Sequence, residues 1–290
     1  MHRYTMGKVS FSLREYRDLS FLNRFGTPFC VFDRNVSGNI GFGMEKDGVR
    51  RFIKIAGLPT LSYDGDPRAA ADSLRRAADT YASLTHPALI APTDAFACGG
   101  LFVMVFPYEA GECLWDYWNF ETYRVEHTER PSPAERFRTL PIERHMTVLQ
   151  TALSFLAAVS RTGYIAIDFY DGSLLYDFET DTVRICDIDF FERAPHINRR
   201  GLMWGDDKFR APEEYEMNAV LDERTNVFRA GAMMHYCLGA PYPNPGGVWE
   251  SERALLAVAK RATAVAKEAR YATVSELIAA WHAAGGERIE

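Results

Sequence analysis

Residues 163–177 read GYIAIDFYDGSLLYD, and residues 184–191 read RICDIDFF. Each stretch puts aspartates directly after a short run of β-formers. An unpaired carboxylate is costly to bury, so a chain that follows two apolar strands with acids needs a reason for them. Two outcomes fit. The strands end at solvent, or the carboxylates share a site with a cation.

The surrounding sequence has the makings of a large fold. The chain has 290 residues, 47% of them hydrophobic and 25% charged, enough for one large domain or two lobes. The net charge of −6 comes without a basic stripe, which argues against nucleic acid as a partner. The five cysteines are scattered, with no C-x-x-C; this suggests neither a disulfide framework nor a zinc site and suits a reducing cytoplasm. The first residues, MHRYTMGKVSFSLREY, lack the apolar core of a signal peptide, and the patch ALSFLAAV is too short to cross a bilayer. A cytoplasmic protein without a membrane partner is the expectation.

Upstream of the aspartates the pattern is β-rich. PFCVF reads as a strand, NVSGN as a turn, and IGFGMEKDGVRRFIKIAG as a hairpin turning at Asp47-Gly48. Asp66-Pro67 reads as an N-cap and first helical position, predicting a helix to about Leu84. ALIAP and LFVMVF read as two more strands. Downstream, IERHMTVLQTALSFLAAVSRTG has helical spacing and ends on Gly163. From Ala211 onward PEEYEMNAV, NVFRAGAMMHYCLG, SERALLAVAKRATAVAKEA and TVSELIAAWHAA all read as helical. Residues 118–142 read as an irregular polar insertion. The expected class is α+β, with a β-rich lobe over 1–106, a helical lobe over 107–290, and a cleft between them edged by the aspartate strands.

This order of parts resembles the protein kinase superfamily, closest to its bacterial serine/threonine kinase-like branch, over roughly residues 25–282. RFIK is similar to the third-strand lysine motif, and THPALI to the segment after helix C. VMVFPYEAGE resembles the last strand and hinge, AIDFYDGS the catalytic loop, and VRICDID the metal-binding strand. FRAPEEY resembles the A-P-E segment, TNVFRAGAMMHYCLG the helix after it, and ARYATVSELIAAW the final helix. The resemblance implies a bilobal kinase fold and an ATP- and Mg²⁺-dependent phosphotransferase acting on a protein Ser/Thr, since small-molecule kinases usually lack the A-P-E segment. By the same resemblance Asp168 is the catalytic aspartate and Lys54 binds phosphates. Asp187, with Ser173 and Asp189, holds the metal, and Phe106, Pro107 and Glu109 receive the adenine. Gly38 is the close-approach glycine of the phosphate loop. The implied pairs are Glu213 with Arg270, and Asn226 with the backbone at 166–168. The separation of 19 between Asp168 and Asp187 is near the family norm.

Several positions depart from the pattern. Gly41 and Gly43 fall in a strand rather than in a glycine-rich loop. Ala77 stands where helix C would carry its glutamate, on the apolar stripe Leu74, Ala77, Tyr81, Leu84, while Asp72 and Asp79 lie on a solvated face. That leaves Asp187 or the nucleotide as the partner of Lys54. Phe52, on the same strand face as Lys54, stands where a small residue would sit over adenine. Ile167 replaces the arginine before the catalytic aspartate, and no Ser, Thr or Tyr occurs between Ile188 and Pro212. Activation-loop phosphorylation is therefore not expected. Asp171 reads as a solvated turn residue. The departures leave an alternative open, an inactive pseudokinase that binds nucleotide or serves as a scaffold.

Overall fold

The computed structural model describes residues 1–115, 131–239, 249 and 251–289. The chain is a mixed α+β protein, with its main sheet in the N-terminal region and most of its helices later. It divides into two compact units. The first is Met1–Ala82 with Ile90–Ala110, and the second is Ser83–Leu89 with Gly111–Glu290.

The first unit opens with a hairpin, β1 (His2–Met6) and β2 (Val9–Leu13). A five-stranded sheet follows: β3 (Thr27–Phe32), β4 (Asn39–Lys46), β5 (Val49–Ala56), β6 (Asp94–Cys98) and β7 (Leu101–Pro107), antiparallel in the order β3-β4-β5-β7-β6. Asp47 and Gly48 both have positive φ, 53° and 76°, as a two-residue turn between right-twisted strands requires. Strand alternation then divides the side chains between two faces. Ile40, Phe42, Met44, Ile53, Ile55, Val103 and Val105 share one face. Phe11 and Leu13 of the hairpin, with Leu19 and Leu22 of the following 3-10 turn, cover it. Each of these buried side chains contributes about 1.5–3 kcal/mol, which docks the N-terminal segment onto the sheet. Helix α1 (Pro67–Ser83) serves the opposite face. The Asp66 carboxylate caps it by accepting from Arg68 N at 2.9 Å. Ala77 is buried as its place on the stripe requires, and the Tyr81 ring packs 5.4 Å from Phe106.

The second unit starts with Ser83–Leu89. ALIAP does not form a strand: Leu89 makes one isolated parallel bridge to Ile185, and prolines at 87 and 92 limit further pairing. The short strand β8 (Glu112–Cys113) comes next. The expected insertion at 118–142 lies partly outside the described residues. Its described end is ordered, as helix α2 (Pro133–Arg138) with a Ser132–Glu135 capping box, followed by α3 (Ile142–Arg161). Past Gly163 run β9 (Tyr164–Ile165), β10 (Leu174–Asp177), β11 (Thr182–Ile185) and β12 (Glu192–Arg193). β10 pairs with β11 and β8, and β12 returns antiparallel onto β9. β13 (His196–Ile197) pairs with β14 (Val220–Leu221). Helix α4 (Glu223–Leu238) packs against α3, α5 (Arg253–Ala262) and α6 (Val274–Ala283).

PEEYEMNAV is not a helix either. Pro212–Tyr215 is a single 3-10 turn, Asn218 has φ of 67°, and Val220 enters β14. Glu213 and Glu214 are each drawn to an arginine distant in sequence. Arg270 Nη1 and Nη2 donate to Glu213 Oε1 and Oε2 at 2.8 and 2.9 Å, the expected bidentate pair. Burial alone would raise the Glu213 carboxyl, but its bonds to Arg270 hold it below the ordinary glutamate range. Arg270→Lys keeps the charge and loses the fork. It should cost about 1.5–3 kcal/mol, read as a lower urea midpoint at unchanged m-value. An unchanged midpoint would show that the pair contributes nothing.

Candidate functional site

The two aspartate stretches fold as consecutive loops fastened at both ends. β9 and β12 pair at the base, and the β10–β11 hairpin lies between them. Asp168 lies on the first loop and Asp187 on the second. Both have left-handed backbones, with φ of 68° and 59°. Asp47 and Asp181, also left-handed, sit in hairpin turns, where that conformation is routine for aspartate. Asp168 and Asp187 lie instead in the loops between β9 and β10 and between β11 and β12, a setting in which a left-handed backbone commonly accompanies function.

Hydrogen bonds tie the loops together. Ser173 Oγ donates to Asp168 O at 3.3 Å, and Cys186 N donates to Ser173 O at 2.9 Å. Ser173 and Asp189 are buried. The Asp168 carboxyl is held well above the usual carboxylate range, first by burial, then by the charge of Asp187, with Asp189 adding to it. Arg229 and Arg210 oppose that rise. The fold thus gathers Asp168, Ser173, Asp187 and Asp189 into one cluster.

Below this cluster, Asn226 fastens the first loop to α4. Its Oδ1 accepts from Ala166 N at 2.8 Å, and its Nδ2 donates to Tyr164 O at 2.8 Å. That is the contact expected of it. Arg229, one helical turn along, is fully buried. Its Nη2 donates to Glu214 Oε1 at 2.5 Å and its Nη1 to Phe169 O at 3.1 Å. Burial raises the Glu214 carboxyl, and Arg229 works against that rise. This pair is not among those that the kinase resemblance implies. The available signal was an arginine inside the apolar run 227–234, since a buried arginine needs a partner. Asp171 is likewise not a solvated turn residue. It is 1% exposed, and Lys208 Nζ donates to its Oδ2 at 2.6 Å.

The remaining candidates lie in the first unit. Lys54 is buried on β5, opposite Gly41 in the β4–β5 register. Phe106 is buried opposite Phe52, Pro107 ends β7, and Glu109 follows it. Gly38 has φ of 85°, and a Cβ there would meet Ala70 and the Tyr63 ring at 2.8 Å; the close approach at this glycine is to its own chain. Phe52 lies across Gly41, where a Cβ would come within 2.5 Å of its ring. Its centroid is 5.8 Å from Phe32 and 6.3 Å from Phe106.

No family model and no curated protein matches this chain. What its residues can do is therefore argued from their chemistry. Among the described residues no three His, Cys, Asp or Glu side chains group as a protein-only metal site. Mg²⁺ does not require one, because it takes one or two carboxylates and completes its shell with phosphate and water. Asp187, Asp189 and Ser173 offer oxygen only, on loops where carboxylate charges already repel, so this donor set fits such an ion. Among the described residues no helix is long and apolar enough to cross a membrane.

Proposed function

We propose that this chain is an ATP- and Mg²⁺-dependent phosphotransferase of the protein kinase-like kind, with a two-lobed kinase fold and a protein hydroxyl as acceptor. One observation carries the reading: two left-handed aspartates on consecutive loops, with burial and then the charge of Asp187 raising the Asp168 carboxyl. The Asn226 and Glu213–Arg270 contacts, both expected from the kinase resemblance, support it further. In this reading Asp168 orients the acceptor hydroxyl and takes its proton. Asp187, Ser173 and Asp189 hold the metal, which when bound neutralises phosphate charge. Lys54 binds phosphates, and Phe106, Pro107 and Glu109 receive the base. Catalysis is then mostly positioning and electrostatic stabilisation.

A second reading, a pseudokinase, is favoured by Phe52, whose ring lies beneath Gly41, where adenine would stack. Thermal unfolding separates the two readings. A ligand that binds only the folded state stabilises by about 2.7 kcal/mol at a hundredfold excess over its dissociation constant. Mg·ATP should then raise Tm by roughly 5–10 °C. ATP with a chelator should do much less, because its charge meets the carboxylates unscreened. Phe52→Ala should enlarge the Mg·ATP shift. A shift indifferent to Mg²⁺, with no phosphoryl transfer, assigns the chain to the pseudokinases.

A further inference from the structure

One short segment, residues 205–210, meets the loop that carries Asp168 at two places, at Asp168 itself and at Asp171. Lys208 Nζ donates to Asp171 Oδ2 at 2.6 Å and lies 4.0 Å from Asp206 Oδ1. Asp171 opens the 3-10 turn that ends in Ser173, whose hydroxyl bonds to Asp168 O. Phe209 and Tyr236 place their rings 5.6 and 5.7 Å from the same ammonium. Arg210, 7% exposed, bonds to Asp207, to Gly205 O and to Tyr215 Oη. Gly205 has φ of 129°. A Cβ there would come within 3.7 Å of Asp168 Oδ1 and 4.0 Å of Arg210 Nε, so the backbone at 205 lies against the aspartate. The chain offers no Ser, Thr or Tyr between 188 and 212 whose phosphorylation could order this segment.

We propose that Lys208 is a positioning residue: its ion pair with Asp171 clamps segment 205–210 onto the catalytic loop and fixes Asp168 without covalent modification. The consequence for turnover rests on the phosphotransferase reading; the clamp itself does not. Lys208 is partly exposed, so its replacement leaves no cavity, whereas Asp171 is buried and loses its cation.

Amide hydrogen exchange on the full chain tests the clamp. Lys208→Met should speed exchange at 166–173 and 205–210 together by about tenfold or more, with 223–238 unchanged. Adding Asp171→Asn removes the stranded charge but does not restore the ion pair, so both segments should stay faster than wild type by at least about threefold. Lys208→Arg should keep the protection. In the transfer assay Lys208→Met should lower kcat by about tenfold at unchanged KM for nucleotide. Unchanged exchange at 166–173, a uniform rise across the second unit, or a double variant restored to wild-type exchange would each overturn the clamp. Wild-type protein that transfers no phosphoryl group would overturn the functional reading instead, and the exchange results would still decide the clamp.

Discussion

On the phosphotransferase reading, Asp168→Asn is expected to lower phosphoryl transfer by on the order of 10²–10⁴-fold, the range for removing a general base, while the Mg·ATP-dependent rise in Tm persists. The substitution is nearly isosteric, and asparagine tolerates the left-handed backbone at this position as aspartate does. Stability should move the other way. The Asp168 carboxyl is raised in the folded protein, first by burial and then by Asp187. Such a group stabilises the fold fully only below its unfolded value of about 4, and that contribution is lost as pH rises through the folded value. Asparagine never ionises. The variant should therefore melt higher than wild type at neutral pH, and the difference should vanish as pH falls toward about 4. An activity loss with a higher Tm marks a functional group held at a cost to the fold. Full transfer activity in Asp168→Asn would remove it from the catalytic role.

Arg229→Met should cost about 3–5 kcal/mol, because it strands the Glu214 carboxylate in a place with no solvent. Both side chains of the pair are 0% exposed. For a chain of this size that is roughly a 10 °C fall in Tm. Glu214 also accepts from Ala211 N at 2.8 Å, so its carboxylate anchors the turn that leads into Pro212. The Arg229→Met/Glu214→Gln double variant should recover most of the loss, since a buried pair is far less costly to replace than to halve. Arg229 additionally holds Phe169 O, next to Asp168, so the single variant should lose transfer activity beyond its loss of folded protein. A Tm within about 2 °C of wild type would show that Glu214 reaches solvent or another cation.

Much of the local architecture was legible in residue order. The Asp47-Gly48 turn, the Asp66 cap and the apolar periods of 67–83, 142–161 and 223–238 are short-range signals, and each element formed where its signal lay. SERALLAVAKRATAVAKEA is α-helical only over Arg253–Ala262, and PEEYEMNAV and ALIAP depart from their local signals for a shared reason. PEEYEMNAV has helix-forming residues and ALIAP has β-formers, but partners distant in sequence decide both. Arg270 and Arg229 pull Glu213 and Glu214 apart, and Ile185 gives Leu89 a single bridge.

The candidate site divides along the same line. Sequence alone determined that aspartates follow two short strands, that Phe52 shares a strand face with Lys54, and that Asn226 can replace an acid as an acceptor. These follow from strand alternation and from side-chain chemistry, which neighbours in sequence suffice to specify. Only the tertiary structure decided that Asp171 is buried against Lys208, that Arg229 neutralises Glu214, and that the N-terminal hairpin covers the sheet. Local sequence sets backbone preference and amphipathic period. Burial and charge pairing are set by what the rest of the chain brings against a residue, and a buried charge persists only where that chain supplies its partner.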